Sequence, residues 1–147
     1  MSTYVIVGTQ TSASKTALTA ITATTIQPRI LQFTISNIGT VSVDSGAQIQ
    51  LKKFTAAGTT TAVTPAATDG SPAATFTAGS NATVEPTYTA NTTVFDRSVN
   101  PRSTYTANAY DFRAEWVFNS TAANGYGWFV NALGGFTTVN VEALIQQ

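Results

Sequence analysis

Any chemistry in this chain must be done by carboxylates, hydroxyls, amides or a few cations, because it has no histidine and no cysteine. The commonest general base, metal ligand and pH switch are therefore missing, and so are thiolate ligands and disulfides. The acids are Asp44, Asp69, Glu85, Asp96, Asp111, Glu115 and Glu142. A glycosidase needs two carboxylates facing each other across a cleft, about 5–9 Å apart. Asp111 and Glu115 are the one pair whose relative placement the sequence fixes. In a strand they share a face, with Arg113 between them. An ion-pair row, within or between subunits, explains all three residues and is commoner than a catalytic pair.

The other constellations are weaker. No serine has a histidine partner and no G-x-S-x-G is present. Ser14 and Lys15 are adjacent, which does not put both side chains on one strand face. The spaced acids of a calcium loop are absent, and Asp44-Ser45-Gly46 and Asp69-Gly70 read as turns. Three N-x-[ST] sequons, at Asn81, Asn91 and Asn119, are expected by chance in so threonine- and asparagine-rich a chain. Lysine plus arginine equals aspartate plus glutamate at seven each, and Lys52-Lys53 is too small a patch to release counterions from phosphates. Nucleic acid is not an expected partner. A sugar-binding surface needs exposed rings, and Tyr88, Tyr105, Tyr110, Tyr126 and Trp128 are the candidates, although aromatics of a β-sandwich are more often core.

The elements that position these residues read as strands. Tyr110 to Phe118 alternates Phe112, Ala114, Trp116 and Phe118 against Asp111, Arg113 and Glu115, which predicts a half-buried central strand. Strands are also predicted at Thr3–Val7, Thr16–Thr25, Arg29–Ile38, Ala47–Ala56, Tyr126–Val130 and Phe136–Ile145. Shorter ones are expected at Thr40–Val43, Ala73–Thr77, Ala82–Glu85, Thr92–Asp96 and Ser103–Thr106. Residues 57–81 carry Pro65, Pro72 and three glycines and read as a long polar loop over one end of the sandwich. Asn124-Gly125 marks a hairpin turn. Short alternating segments without a convincing helix predict an all-β fold: a single-domain, jelly-roll-like β-sandwich over residues 1–147, with residues 1–28 as an N-terminal arm and first strands.

With 147 residues the chain is long enough for one domain with a proper core. Only 10% of residues are charged, against about 25% in ordinary soluble domains. Threonine supplies about a fifth of the chain; it favours strands and keeps a face wet without charge. A neutral surface of this kind is poorly guarded against association. The N-terminus lacks a basic start and a long apolar run, so a soluble protein made in the cytoplasm is expected, with no membrane partner and no cofactor.

Two runs carry a family resemblance. One is IQLKKFTAAGTTTAVTP from Ile49 to Pro65, continued by AATDGSPAAT. The other is TVEPTYTANTTVFDRSVNPRSTYTANAYDFRAEWVF followed by STAANGYGWFV. Their order resembles a group of short proteins encoded among the structural genes of tailed phages and prophages. The matching positions are Lys53-Phe54-Thr55-Ala56, Val84-Glu85-Pro86-Thr87-Tyr88-Thr89, Arg102, Arg113, Trp116 and Thr121-Ala122-Ala123-Asn124-Gly125. The resemblance spans roughly residues 30–147, and Thr3–Gln27 departs from it. It implies a virion component, a capsid cement or decoration protein on the outer capsid surface. Its partners would be the major capsid protein and itself, as a homotrimer. On that reading Val63, Phe76 and Phe95 are expected to pack around the symmetry axis. Asp111, Arg113 and Glu115 would make capsid or intersubunit contacts, and the loop 57–81 and the N-terminal arm would touch the shell. A carbohydrate- or receptor-binding module on a head or tail fibre is the alternative.

Overall fold

The computed structural model describes residues 1–22, 26–110 and 115–147, and twelve strands, with no helix, are formed among them. They are β1 (Thr3–Gln10), β2 (Lys15–Ile21), β3 (Arg29–Ile38), β4 (Ala47–Ala56), β5 (Thr59–Val63) and β6 (Ala66–Ala67). The rest are β7 (Thr77–Val84), β8 (Thr87–Val99), β9 (Tyr105–Asn108), β10 (Trp116–Val117), β11 (Gly125–Ala132) and β12 (Thr138–Gln146). One sheet runs β10-β3-β12-β1-β6, with β9 also on β3; the other runs β5-β7-β2-β11-β4-β8. All pairings are antiparallel. Set aside β5, β6, β7 and β10, and the order is first-eighth-third-sixth in one sheet and second-seventh-fourth-fifth in the other. That is the strand order of a jelly roll, so the expected fold class holds.

Period-two alternation sorts the side chains. In β12, Val139, Val141, Ala143 and Ile145 point inward and are fully buried, while Asn140, Glu142, Leu144 and Gln146 face out. β1 alternates the same way, with Tyr4 and Ile6 inward and Val5 and Val7 outward. β3 and β4 occupy the ranges expected for them. Between the sheets lie Phe33, Phe95, Trp116 and Trp128, whose rings meet at centroid distances of 5.0 Å (Phe33–Phe95), 5.4 Å (Phe33–Trp116) and 5.8 Å (Phe33–Trp128). Trp128 Nε1 is buried with no hydrogen-bond partner, a donor left in an apolar core for the sake of ring packing.

The segment Tyr110–Phe118 is not the central strand expected. Trp116–Val117 pairs with Ile30 and Arg29 over two residues only, Tyr110 stands at a turn, 89% exposed, and residues 111–114 lie outside the described ones. The edge of β3 explains the brevity. β9 already occupies that edge from Gln32 to Ile35, leaving room for one more short contact. The central strand of this sheet is β12, hydrogen-bonded to β1 on one side and β3 on the other.

Residues 57–81 are not a loop either. They contain β5, β6 and the first part of β7, and deleting them would remove sheet rather than an appendage. β4 and β5 together pair with β8 and β7 from Ala47↔Val99 to Val63↔Ala78, kinked around Gly58 and Pro86. The result is one long ribbon folded from one edge of the second sheet to the other. Wide bulges let it bend: the register slips at Lys52/Phe54 and at Thr59/Thr61, opposite Asn91 and Asn81, both at positive φ. Asparagine tolerates that conformation better than other non-glycine residues. The sequons at these positions therefore sit in bulged strands. The tip of the excursion folds back on the body through Tyr4 Oη to the Pro72 carbonyl (2.7 Å) and Thr68 N to the Thr3 carbonyl (2.9 Å). Thr40–Val43 and Ala73–Phe76 form no strand.

Candidate functional site

The expected contact residues scatter. Phe76 and Phe95 are buried, at 2% and 6% exposure. Phe76 stands edge-on to Tyr4 at 5.7 Å and Phe95 packs on Phe33, so neither is free to pack around an axis. Val63 is half-buried against the core. Glu115 is exposed and lies 3.9 Å from Arg29, while Asp111 and Arg113 fall outside the described residues. Residues 3–10 are a sheet strand, not an arm. The aromatic platform does not form: Trp128 and Tyr126 are buried, Tyr88 and Tyr105 are half-buried, and Tyr110 alone of the five is open.

Glu85 and Tyr88, from the VEPTYT segment, build a clasp on the outside of the second sheet. Glu85 accepts from the Thr16 amide (3.0 Å) and hydroxyl (2.6 Å), and the Thr16 hydroxyl also meets Tyr88 Oη at 2.7 Å. The Tyr88 ring lies across Gly127, where any Cβ would strike it. Lys52 Nζ caps the ring at 4.7 Å and the Phe129 ring at 4.6 Å. Burial raises the Tyr88 phenol above its ordinary value and the Glu85 charge adds to this, against the opposing bond from Thr16. Thr16 is wholly buried, so this Thr–Glu–Tyr chain fastens the ribbon to the sheet and offers no nucleophile to a substrate.

Two surfaces remain open to a partner. The first is the outer face of the β1-β12-β3-β9 sheet. Its rows are Val7–Glu142–Thr34–Thr106 and Val5–Leu144–Gln32–Asn108, with Thr9–Asn140–Ser36 above. The hydroxyls pair with one another, as in Thr34 Oγ1 to Thr106 Oγ1 at 3.3 Å. Glu142 is the one charge in these rows, and no cation pairs with it among the described residues. Alternation in β3 and β12 marked which of their side chains point outward, but no sequence signal showed that β1, β12, β3 and β9 pair into one face.

The second is a pocket of about 430 Å³ at the sandwich end where β4, β10 and β11 meet. Phe54, Phe118 and Tyr126 line it together with Gln27, Thr55, Thr92, Asn119 and Asn124, and Lys53 is the only charged residue among the described ones that line it. Tyr126 donates to the Val117 carbonyl (3.2 Å), and burial pushes its phenol up to about 12. These residues come from four separated parts of the chain, and no spacing signal could have joined them.

Among the described residues no group of three or more acids could hold a metal ion, and no helix is long and apolar enough to cross a membrane. No protein-family model, curated protein or solved structure matches the chain.

Proposed function

We propose that this protein is a non-enzymatic bacteriophage capsid cement or decoration protein, made in the host cytoplasm, that binds the outer capsid surface and bridges major capsid protein subunits. The observation that carries the reading is the outer face of the β1-β12-β3-β9 sheet: broad, rigid, faced with Val5, Val7, Leu144 and hydroxyls, and holding a single carboxylate. A face so poor in charge desolvates cheaply and does not repel association.

Magnitudes favour a multivalent attachment. Strands of eight (β1), nine (β12), ten (β3) and four (β9) residues, about 4.8 Å apart, present roughly 500 Å², less than the ~800 Å² that each partner of a standard interface buries. One face alone would bind weakly. A homotrimer would present three, and linked weak contacts gain affinity by effective concentration. Binding that only the assembled shell offers then stabilises it by mass action, by about 2.7 kcal/mol per site at a hundredfold excess over Kd.

The test uses shells stripped of this protein. Wild type should co-sediment with them in near-equimolar ratio to the major capsid protein and raise their disruption temperature. Val7→Lys with Thr34→Lys should abolish both effects while leaving the protein's own melting unchanged. A double variant that still binds would refute the assignment of the face. A handful of copies per particle would place the protein at the tail or a fibre and make the receptor-binding reading the leading one.

A further inference from the structure

The pocket at the end of the sandwich shares no residue with the proposed attachment face, so both can be occupied at once. Its volume of about 430 Å³ falls in the range of about 300–1,000 Å³ typical of small-molecule sites. It is more than one inserted side chain would fill. The floor is apolar and fixed: Phe118 and Tyr126 stand edge-on at 5.0 Å. The rim is amide and hydroxyl. Asn119 Oδ1 accepts from the Thr121 amide at 2.9 Å, which leaves its NH₂ group as a donor for a ligand. Among the described residues the side chains of Gln27, Thr55 and Asn124 make no hydrogen bond to the protein.

Lys53 sets the charge preference. Its ammonium lies 5.8 Å from the centroid of the Tyr126 ring and has no carboxylate partner among the described residues. No acid lines the pocket among the described residues. One flexible ammonium among neutral amides matches a single carboxylate. Recognition of a phosphoryl group ordinarily adds an arginine fork, and no arginine is among the described lining residues. Amides and hydroxyls around an apolar floor suit a ligand with many hydroxyls and a hydrocarbon face. We propose that the pocket binds a saccharide unit carrying a carboxylate. Lys53 would hold the anion, Gln27, Asn119 and Asn124 the hydroxyls, and the Phe118–Tyr126 floor the ring's apolar face.

The experiment is a titration followed by amide chemical shifts, using digalacturonate and N-acetylneuraminic acid as probes and galactose as the neutral control. Saturable shifts at Lys53, Asn119 and Asn124 are expected with an acidic probe, and galactose should bind at least about tenfold more weakly, the worth of one charge-assisted contact. Lys53→Met keeps the apolar stem and should weaken binding by a similar factor. Asn119→Asp keeps the acceptor for the Thr121 amide but opposes the anion, and should abolish binding. Absence of saturable shifts with both acidic probes, equal affinity for galactose, or unaltered binding by Lys53→Met would each overturn the proposal. None of these outcomes bears on attachment to the shell, which is read separately by co-sedimentation.

Discussion

Alanine is ordinarily better than glycine inside a strand, by about 0.5–1 kcal/mol, yet Gly127→Ala should destabilise this protein. A Cβ at position 127 would run into the Tyr88 hydroxyl, 3.1 Å from Cζ and 3.3 Å from Thr16 Cγ2. Tyr88 cannot yield without loss. Its hydroxyl meets Thr16 at 2.7 Å, its ring is edge-on to Phe54 at 6.2 Å and to Phe129 at 5.8 Å, and Lys52 caps it. Displacing it forfeits about 1 kcal/mol for the buried hydrogen bond and about 1–2 kcal/mol for the ring and cation contacts. After the gain from alanine, the net cost is about 1–2 kcal/mol. Urea unfolding reads this as a lower midpoint, by roughly 0.5–1 M for a slope near 2 kcal/mol/M. In a Tyr88→Phe background the struck hydroxyl is gone, and Gly127→Ala should cost less than about 0.5 kcal/mol, a coupling of about 1 kcal/mol. Equal or greater stability of Gly127→Ala, or the same cost in both backgrounds, would refute the reasoning.

Two neighbours on β8 should behave in opposite ways. Phe95→Ala empties part of the ring cluster and should cost about 3–5 kcal/mol in a thermal or urea melt, whereas Val94→Ala, at 38% exposure, should be nearly silent. Equal effects would mean that Phe95 serves an interface. The buried phenols predict alkaline sensitivity. Tyrosines ionise near 10 in the unfolded chain, while Tyr126 is pushed up to about 12 and Tyr88 is raised as well, both chiefly by burial. Between pH 10 and 12 the folded state therefore holds more protons, so stability is full below pH 10 and falls as pH rises. Tyr126→Phe should flatten that fall, measured as urea midpoint against pH; an unchanged slope would show that burial of this phenol is not its cause.

Strands with one greasy face announced themselves. Leu31, Phe33 and Ile35 in β3 and the alternating aliphatics of β12 carry a period-two signal that survives any context. The Gly58–Asn81 region did not, because a strand such as Thr59–Val63 offers hydroxyls and small residues to both sides, and its glycines and prolines resemble turn punctuation. Its order comes from pairing with β7, from Thr59↔Val84 to Val63↔Ala78, a partner outside any local window. The opposite error arose at Tyr110–Phe118, where alternation was strong but β9 had taken most of the edge. The pocket was illegible for a third reason: Gln27, Lys53 and Asn119 are ordinary surface residues until the sandwich end brings them together.

The last of the twelve described strands lies in the middle of its sheet. β12 separates β1 from β3, so the hydrogen bonds of β1 and β3 toward that side have no partner until residues 138–146 emerge from the ribosome. A nascent chain can close the ribbon of β4, β5, β7 and β8 early, but the β1-β12-β3-β9 face comes into being only once β12 has been made. Long-range closure of this kind is slow. It also means that a prematurely terminated chain cannot display half of the face: without Glu142 and Leu144 between their neighbours, Val7 and Thr34 have no common surface to share. Products that stop before β12 would thus lack that face by topology alone, and on the proposed function they would not attach to a shell.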